Sequence, residues 1–184
     1  MASKSFLFNQ EPQWLENRPG TRHTLPENVQ SWTYESGSLT QRLRDYYGDA
    51  IGVKVLLQQR TAPFLTERRL LNLPENKYSL IREVLLHADG KPLILARTII
   101  PVKTIKAAKS NLAHLGSRPL GEVIFSYPKL ERIEMDVTLI NRPTWSQSAI
   151  AVGHIAEPIW GRRTVYAMAQ RQMLVSEFFL PGVF

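Results

Sequence analysis

Residues 78–100 read YSLIREVLLHADGKPLILARTII, and the architecture expected for the whole chain follows from this stretch. Two apolar runs, 78–87 and 92–100, flank Asp89-Gly90, a dipeptide that favours a two-residue type I′ turn. The stretch therefore predicts a β-hairpin of two long antiparallel strands.

Two arginines interrupt the apolar rows of this hairpin. Side chains two residues apart share a face of a strand, so Arg82 and Arg97 each lie within a row of leucine, isoleucine and valine. A two-residue loop at Asp89-Gly90 would set Arg82 directly opposite Arg97. Because two buried guanidiniums repel each other and keep their protons, this pairing predicts a nearby anion, either protein carboxylates or a ligand. The alternative is that this face is exposed, since the opposite faces are also fairly apolar.

A third charged residue, Glu177, interrupts an apolar row in the last predicted strand, 173–180. A carboxylate in such a row either forms an ion pair with one of the two arginines or serves as a general acid, base or orienting group. Both interpretations place Glu177 near the hairpin.

The rest of the chain predicts short helices and further strands joined mainly by hairpins. Polar residues 1–24 predict an extended N-terminal arm, and 25–184 a single domain. We expect the α+β class, with a single antiparallel β-sheet covered by helices. Helices are predicted at 26–34, 38–47, 105–115 (capped by Thr104) and 118–125, strands at 53–57, 68–73, 130–139, 159–169 and 173–180, and a loop at 141–158.

The composition narrows the classes of function. The chain has 184 residues and no cysteine, which excludes disulfides, thiolate metal sites and thiol nucleophiles. The net charge of +7 suits nucleic acid, an anionic membrane or a small acidic ligand. The basic residues form no block and no nucleic-acid motif, so no nucleic-acid partner is expected. The histidines lack ligand spacing, and no long apolar run or signal segment occurs. We therefore expect no metal, no stable membrane insertion and a cytoplasmic protein.

Four collinear segments resemble the bacterial chorismate lyase family. They are the hairpin itself, the run 115–121 (LGSRPLG), the segment 160–163 (WGRR) and the segment 174–181 (LVSEFFLP). The resemblance implies a cofactor-independent carbon–oxygen lyase that converts chorismate to 4-hydroxybenzoate and pyruvate, the first committed step towards ubiquinone. It also implies short helical flaps over an internal ligand site. We expect a monomer.

The resemblance also implies roles for particular residues. Carried over position by position, it assigns substrate binding to Leu39, Arg82, Leu120 and Glu177, with catalytic roles for Arg97 and Glu177. Arg82 would hold the ring carboxylate, and Arg97 the enolpyruvyl carboxylate and the ether oxygen. Glu177 would orient the ring hydroxyl or accept the ring proton. Leu39 stands where the family has methionine, a change that preserves volume.

A different class of function stays open beside this one. Effector-binding modules of the UTRA kind, attached to bacterial transcription regulators, are related in fold and bind a small ligand without turnover. Those regulators carry an N-terminal winged helix, and the polar segment before the first predicted helix is too short for one. Turnover of chorismate distinguishes the two functions.

Overall fold

The computed structural model describes residues 4–108, 112 and 114–184. Its strands form one seven-stranded sheet in the spatial order β1-β5-β6-β7-β4-β3-β2, and every neighbouring pair is antiparallel. The predicted α+β class with a single antiparallel sheet is confirmed. The strands are β1 (Leu15–Glu16), β2 (Ile51–Thr61), β3 (Ser79–Ala88), β4 (Lys91–Pro101), β5 (Glu131–Ile140), β6 (Ile159–Met168) and β7 (Arg171–Phe179).

Short helices cover both faces of the sheet. We call the face that carries Arg82, Val84 and Leu86 the cavity face, and the face that carries Ile81 and Leu85 the arm face. Helices α1, α2, α4 and α5 pack on the cavity face, and α3 and α6 pack on the arm face. The helices are α1 (Glu27–Thr33), α2 (Leu39–Tyr47), α3 (Leu65–Leu70), α4 (Val102–Ala107), α5 (Leu120–Ile124) and α6 (Gln147–Gly153), with 3-10 turns at Thr21–Thr24, Gly48–Ala50, Arg142–Thr144 and Pro181–Val183.

The strand predicted at 68–73 is wrong, because the chain forms α3 there. Glu67 begins this helix by accepting a hydrogen bond from the backbone N–H of Phe64 at 2.8 Å. The same carboxylate is buried against Arg97, 2.7 Å from its Nε. The ion pair anchors α3 to the sheet, while its leucine, glutamate and arginine residues favour a helix locally, a preference that the strand prediction overlooked.

Two further segments differ from the prediction. The loop expected at 141–158 contains α6, which begins where the Ser146 hydroxyl accepts from the N–H of Ala149 at 3.0 Å. The helix expected at 105–115 is observed as the shorter α4, and Thr104 lies inside it instead of capping it. Residues 109–111 and 113 of that expected helix lie outside the described residues.

The central hairpin forms at the predicted turn, but its register changes along the strands. Asp89 and Gly90 have φ angles of 46° and 83°, as a type I′ turn requires. Beyond the turn, Leu93 is the extra residue of a bulge in β4. Its carbonyl accepts a hydrogen bond from the N–H of Leu180 at 3.0 Å, and its side chain is fully buried.

This bulge separates the two hairpin arginines. Arg82 pairs with Thr98, and Arg97 pairs with Glu83. One extra residue turns every following side chain to the opposite face of the sheet. Arg82 therefore lies on the cavity face and Arg97 on the arm face, so the predicted pairing of Arg82 with Arg97 is wrong.

The described part of the N-terminal segment lies across the arm face. Leu7 and Phe8 are buried against Trp145 and Phe178. Farther along, β1 adds a short edge strand next to β5. The segment therefore covers the sheet, while the domain boundary at residue 24 stays a prediction. None of the helices that the described residues form is long and apolar enough to cross a membrane.

Candidate functional site

A narrow cavity lies between the cavity face of the sheet and the helices α2 and α5. The cavity volume is about 40 Å³. Such a slot suits a small flat ligand better than a bulky one. Its polar lining consists of Ser38, Thr40, Arg82, Thr98, Tyr166 and Glu177.

Four of the five residues singled out from the sequence line this one cavity. Leu39 comes from α2 and Leu120 from α5, and both are buried. Arg82 comes from β3 and Glu177 from β7, on either side of β4. With strands about 4.8 Å apart and a rise of about 3.4 Å per residue, this register sets the two Cα atoms about 12 Å apart. Both residues lie on the same face of the sheet, so a ligand that spans this distance can contact both side chains.

Arg97, the fifth residue, lies outside the cavity. Its Nε donates to Glu67 at 2.7 Å and its Nη1 donates to Glu83 at 2.6 Å, while its guanidinium stacks on the ring of Phe64 at 4.3 Å. Burial lowers the pKa of Arg97, but the charges and hydrogen bonds of Glu67 and Glu83 outweigh the effect of burial and raise this pKa above its ordinary value. Arg97 therefore does not line the cavity, and its charge is neutralised on the arm face; the catalytic role predicted for it stays a prediction.

Arg82 has a very different environment. It is 2% exposed, and its Nη2 donates to the carbonyls of Gly116 at 2.8 Å and Arg118 at 3.1 Å. Its Nε is buried without a hydrogen-bond partner, and no carboxylate of the described residues forms an ion pair with it. Burial lowers the pKa of Arg82 from its ordinary value. A buried guanidinium with an unused donor can bind an anion, and its geometry suits a carboxylate.

Glu177 is held by an arginine that was not singled out from the sequence. Arg162 is 1% exposed, and its Nε donates to Glu177 Oε2 at 2.7 Å. Its Nη1 donates to the carbonyls of Thr33 at 3.0 Å and Glu35 at 2.9 Å. Arg162 interrupts a buried row of β6 just as Arg82 interrupts one of β3, so the same alternation argument was available for it.

Tyr166 supplies a hydroxyl beside Glu177 in the cavity lining. Burial raises the pKa of Tyr166, and the negative charge of Glu177 acts in the same direction, against the opposing charges of Arg162 and Arg132. The phenol therefore stays protonated at neutral pH. Its oxygen accepts a hydrogen bond from Arg132 Nη2 at 3.2 Å, and the same nitrogen donates to the Ser36 carbonyl at 3.2 Å.

We call α2 and α5 together the lid, since they cover the cavity and contact each other. A Cβ atom on Gly121 would lie 2.7 Å from Ser38 Oγ and 3.1 Å from Thr40 Oγ1. Arg44 and Glu122 join the two helices by an ion pair of 2.6 Å. The expected short helices over an internal site are present. No group of three or more metal-ligating side chains occurs within residues 4–108, 112 and 114–184.

A family model described as chorismate lyase matches residues 10–184. A protein of Methylococcus capsulatus named "Probable chorismate pyruvate-lyase" is 41% identical over 84% of this chain and 96% of its own length. One of the same name from Methylobacillus flagellatus is 33% identical over 93% of this chain and 94% of its own length.

Two solved structures illustrate the fold that this chain shares with other proteins. PhnF from Mycobacterium smegmatis has a TM-score of 0.57 at 16% identity, covering 80% of this chain and 65% of that one. A GntR-family regulator from Bacillus cereus has a TM-score of 0.56 at 12% identity, covering 74% of this chain and 95% of that one. At these identities the likeness shows the fold alone.

Proposed function

The chain belongs to the chorismate lyase family, and we propose that it cleaves chorismate to 4-hydroxybenzoate and pyruvate. The observation that carries this proposal is the joint placement of Arg82 and Glu177 in one covered cavity. An uncompensated cation at one end of the slot and a carboxylate at the other suit a flat ring with a carboxylate and a hydroxyl at opposite positions.

In the proposed binding mode the ring carboxylate lies against the guanidinium of Arg82. The ring hydroxyl donates to Glu177, and the side chains of Leu39 and Leu120 cover the ring from the lid. Arg97 takes no part, because it lies on the arm face with its own carboxylates. The enolpyruvyl group then points towards the lid, where the hydroxyls of Ser38 and Thr40 line the cavity.

The reaction needs no redox partner and consumes no water. The ether C–O bond breaks, the carbon that bears the hydroxyl loses its proton, and the enolpyruvyl fragment takes up one proton to leave as pyruvate. The ring becomes aromatic, which drives the elimination. A closed site that aligns the ring, excludes water and strengthens its own electrostatic interactions can supply the rate enhancement by positioning.

We also propose the finer features that the family resemblance implies. The protein acts as a cytoplasmic monomer without metal, organic cofactor or nucleic-acid partner, and its product enters ubiquinone synthesis. The unpaired charge of Arg82 supports a small anion as the ligand, because it lies in a narrow cavity and not on an open surface.

The test is an assay of purified protein with chorismate. Pyruvate is followed by coupled reduction with lactate dehydrogenase, and 4-hydroxybenzoate by chromatography. We expect equal amounts of both products, and kcat/KM about 10²- to 10³-fold lower in Arg82→Met and in Glu177→Gln. Arg18→Ala, which removes a surface ion pair, serves as the control and should retain full activity. A wild-type protein that binds 4-hydroxybenzoate but leaves chorismate intact would instead be a non-catalytic binding module.

A further inference from the structure

We infer that Arg162 is a positioning residue, which orients the Glu177 carboxylate to accept a hydrogen bond from the ligand hydroxyl and ties it to the segment leading into the lid. This inference rests on the proposed function, because it takes Glu177 as the group that receives the ring hydroxyl. Arg162 itself is absent from the cavity lining, so it acts through Glu177.

The first observation is the geometry between Arg162 and Glu177. The two residues are directly paired across β6 and β7, so their side chains leave the sheet on the same face. Arg162 Nε donates to Glu177 Oε2 at 2.7 Å, and the Glu177 side chain is 15% exposed. Within the described part of the chain, Glu177 Oε1 has no hydrogen-bond partner. The guanidinium therefore occupies one carboxylate oxygen and leaves the other to accept from a ligand.

The second observation is how firmly Arg162 is itself anchored. Its Nη1 donates to the carbonyls of Thr33 and Glu35 at 3.0 and 2.9 Å. Thr33 is the last residue of α1, where helix carbonyls lack helical partners and a cation is favoured, and Glu35 follows just after the helix ends. A planar guanidinium held at two edges cannot turn, so it holds the carboxylate oxygen that it contacts in one place.

The third observation connects this anchor to the lid. The chain runs from Glu35 to Ser38, the residue that caps α2 by accepting from the Gln41 N–H at 3.3 Å. Arg132 adds a second tether from the sheet to this segment through the Ser36 carbonyl at 3.2 Å. When the lid is in place, the carbonyls that hold Arg162 are in place too. The preference of Glu177 for a ligand hydroxyl and the closure of the lid therefore both depend on the side chain of Arg162.

The experiment compares two ligands that differ only in the hydroxyl. Dissociation constants of 4-hydroxybenzoate and benzoate are measured by calorimetry on wild type, Arg162→Lys, Arg162→Gln and Glu177→Gln. We expect wild type to prefer 4-hydroxybenzoate by about tenfold or more, the effect of one hydrogen bond to a charged group. Arg162→Gln should lose most of this preference, Arg162→Lys should keep part of it, and combining Arg162→Gln with Glu177→Gln should add little to either change.

Arg163→Lys is the matched control. Arg163 is the next residue along β6, is also buried, and makes an equally short ion pair of 2.7 Å, but with Asp136 on the arm face. Its variant should keep the preference for the hydroxyl even if stability falls. If Arg162→Gln fails to fold, Arg162→Lys is the test variant. We then expect its preference for 4-hydroxybenzoate over benzoate to fall at least threefold.

The outcomes separate this inference from the proposed function. The contrary outcome is an Arg162 variant that weakens the binding of 4-hydroxybenzoate and benzoate equally and leaves the ratio of their dissociation constants unchanged. That result would show a merely structural role for Arg162 and overturn the inference, even in an active enzyme. A protein that leaves chorismate intact but shows the expected ratios would overturn the proposed function and support the role of Arg162.

Discussion

Replacing Arg97 by methionine should lower stability and leave ligand binding nearly native, whereas replacing Arg82 by methionine should weaken ligand binding and leave stability nearly native. Methionine is long and unbranched, so it fills much of the space of either side chain without its charge. Arg97→Met leaves Glu67 and Glu83 buried without their cation. Arg82→Met removes a buried cation that no carboxylate of the described residues neutralises.

The expected magnitudes follow from these environments. Breaking a buried ion pair by removing one partner costs about 3–5 kcal/mol. For a chain of this size that lowers the melting temperature by on the order of 10 °C. Arg82→Met loses two hydrogen bonds to the carbonyls of Gly116 and Arg118, each worth about 1 kcal/mol net, but also removes an uncompensated buried charge. Its free energy of unfolding should stay within about 1 kcal/mol of wild type.

Urea unfolding followed by tryptophan fluorescence measures the first effect, and calorimetric titration with 4-hydroxybenzoate measures the second. Arg97→Met should unfold at clearly lower urea yet bind the ligand with nearly native affinity below its transition. Arg82→Met should unfold near the wild-type midpoint and bind at least tenfold more weakly.

Two outcomes would contradict this assignment of faces. One is a folded Arg97→Met protein that loses ligand binding as strongly as Arg82→Met. The other is an Arg82→Met protein destabilised as much as Arg97→Met. If Arg97→Met does not fold, adding Glu67→Gln and Glu83→Gln removes the unpaired charges and should recover part of the lost stability.

Two further predictions concern the lid and the N-terminal segment. Gly121→Ala places a methyl group against Ser38 Oγ, so we expect the two lid helices to separate and 4-hydroxybenzoate to dissociate several-fold faster in stopped-flow measurements. Combining Gly121→Ala with Ser38→Ala should restore part of the native dissociation rate. A dissociation rate that Gly121→Ala leaves unchanged would argue against the lid. Deleting residues 1–10 removes the buried side chains of Leu7 and Phe8 and the donors to Glu83 from Ser5, Phe6 and Leu7. The deletion should lower the free energy of unfolding in urea titrations by about 3–5 kcal/mol. An unchanged urea midpoint would show that this segment contributes nothing to the stability of the fold.

The elements that were predicted correctly depend on neighbouring residues along the chain. The hairpin turn follows from Asp89-Gly90, where both residues adopt positive φ. Helix α2 follows from its cap at Ser38 and its stop at Gly48, and both are observed. Turn chemistry and helix caps act over four or five residues, so a single sequence contains what is needed to recognise them.

Among the elements predicted wrongly, the bulge in β4 depends on a contact with a distant segment, whereas α3 and α6 carry local helix signals. Helix α3 was missed although its arginine and leucine residues favour a helix, and the Glu67 pair with Arg97 then anchors it to the sheet. The bulge at Leu93 is invisible in the sequence because Leu93, Ile94 and Leu95 are all apolar and either face can accept them. The contact that completes the bulge comes from Leu180, almost at the other end of the chain.

For the candidate site, residue patterns and motif resemblance were enough to select Leu39, Arg82, Leu120 and Glu177, which the fold brings into one cavity. They were not enough to place Arg97 or to find Arg162. Alternation along a strand shows that a charge lies in a buried row, but the neighbouring strands determine which face that row occupies. A one-residue shift in β4 reverses that face, and so Arg82 lines the cavity while Arg97 is neutralised by Glu67 and Glu83 on the far side of the sheet.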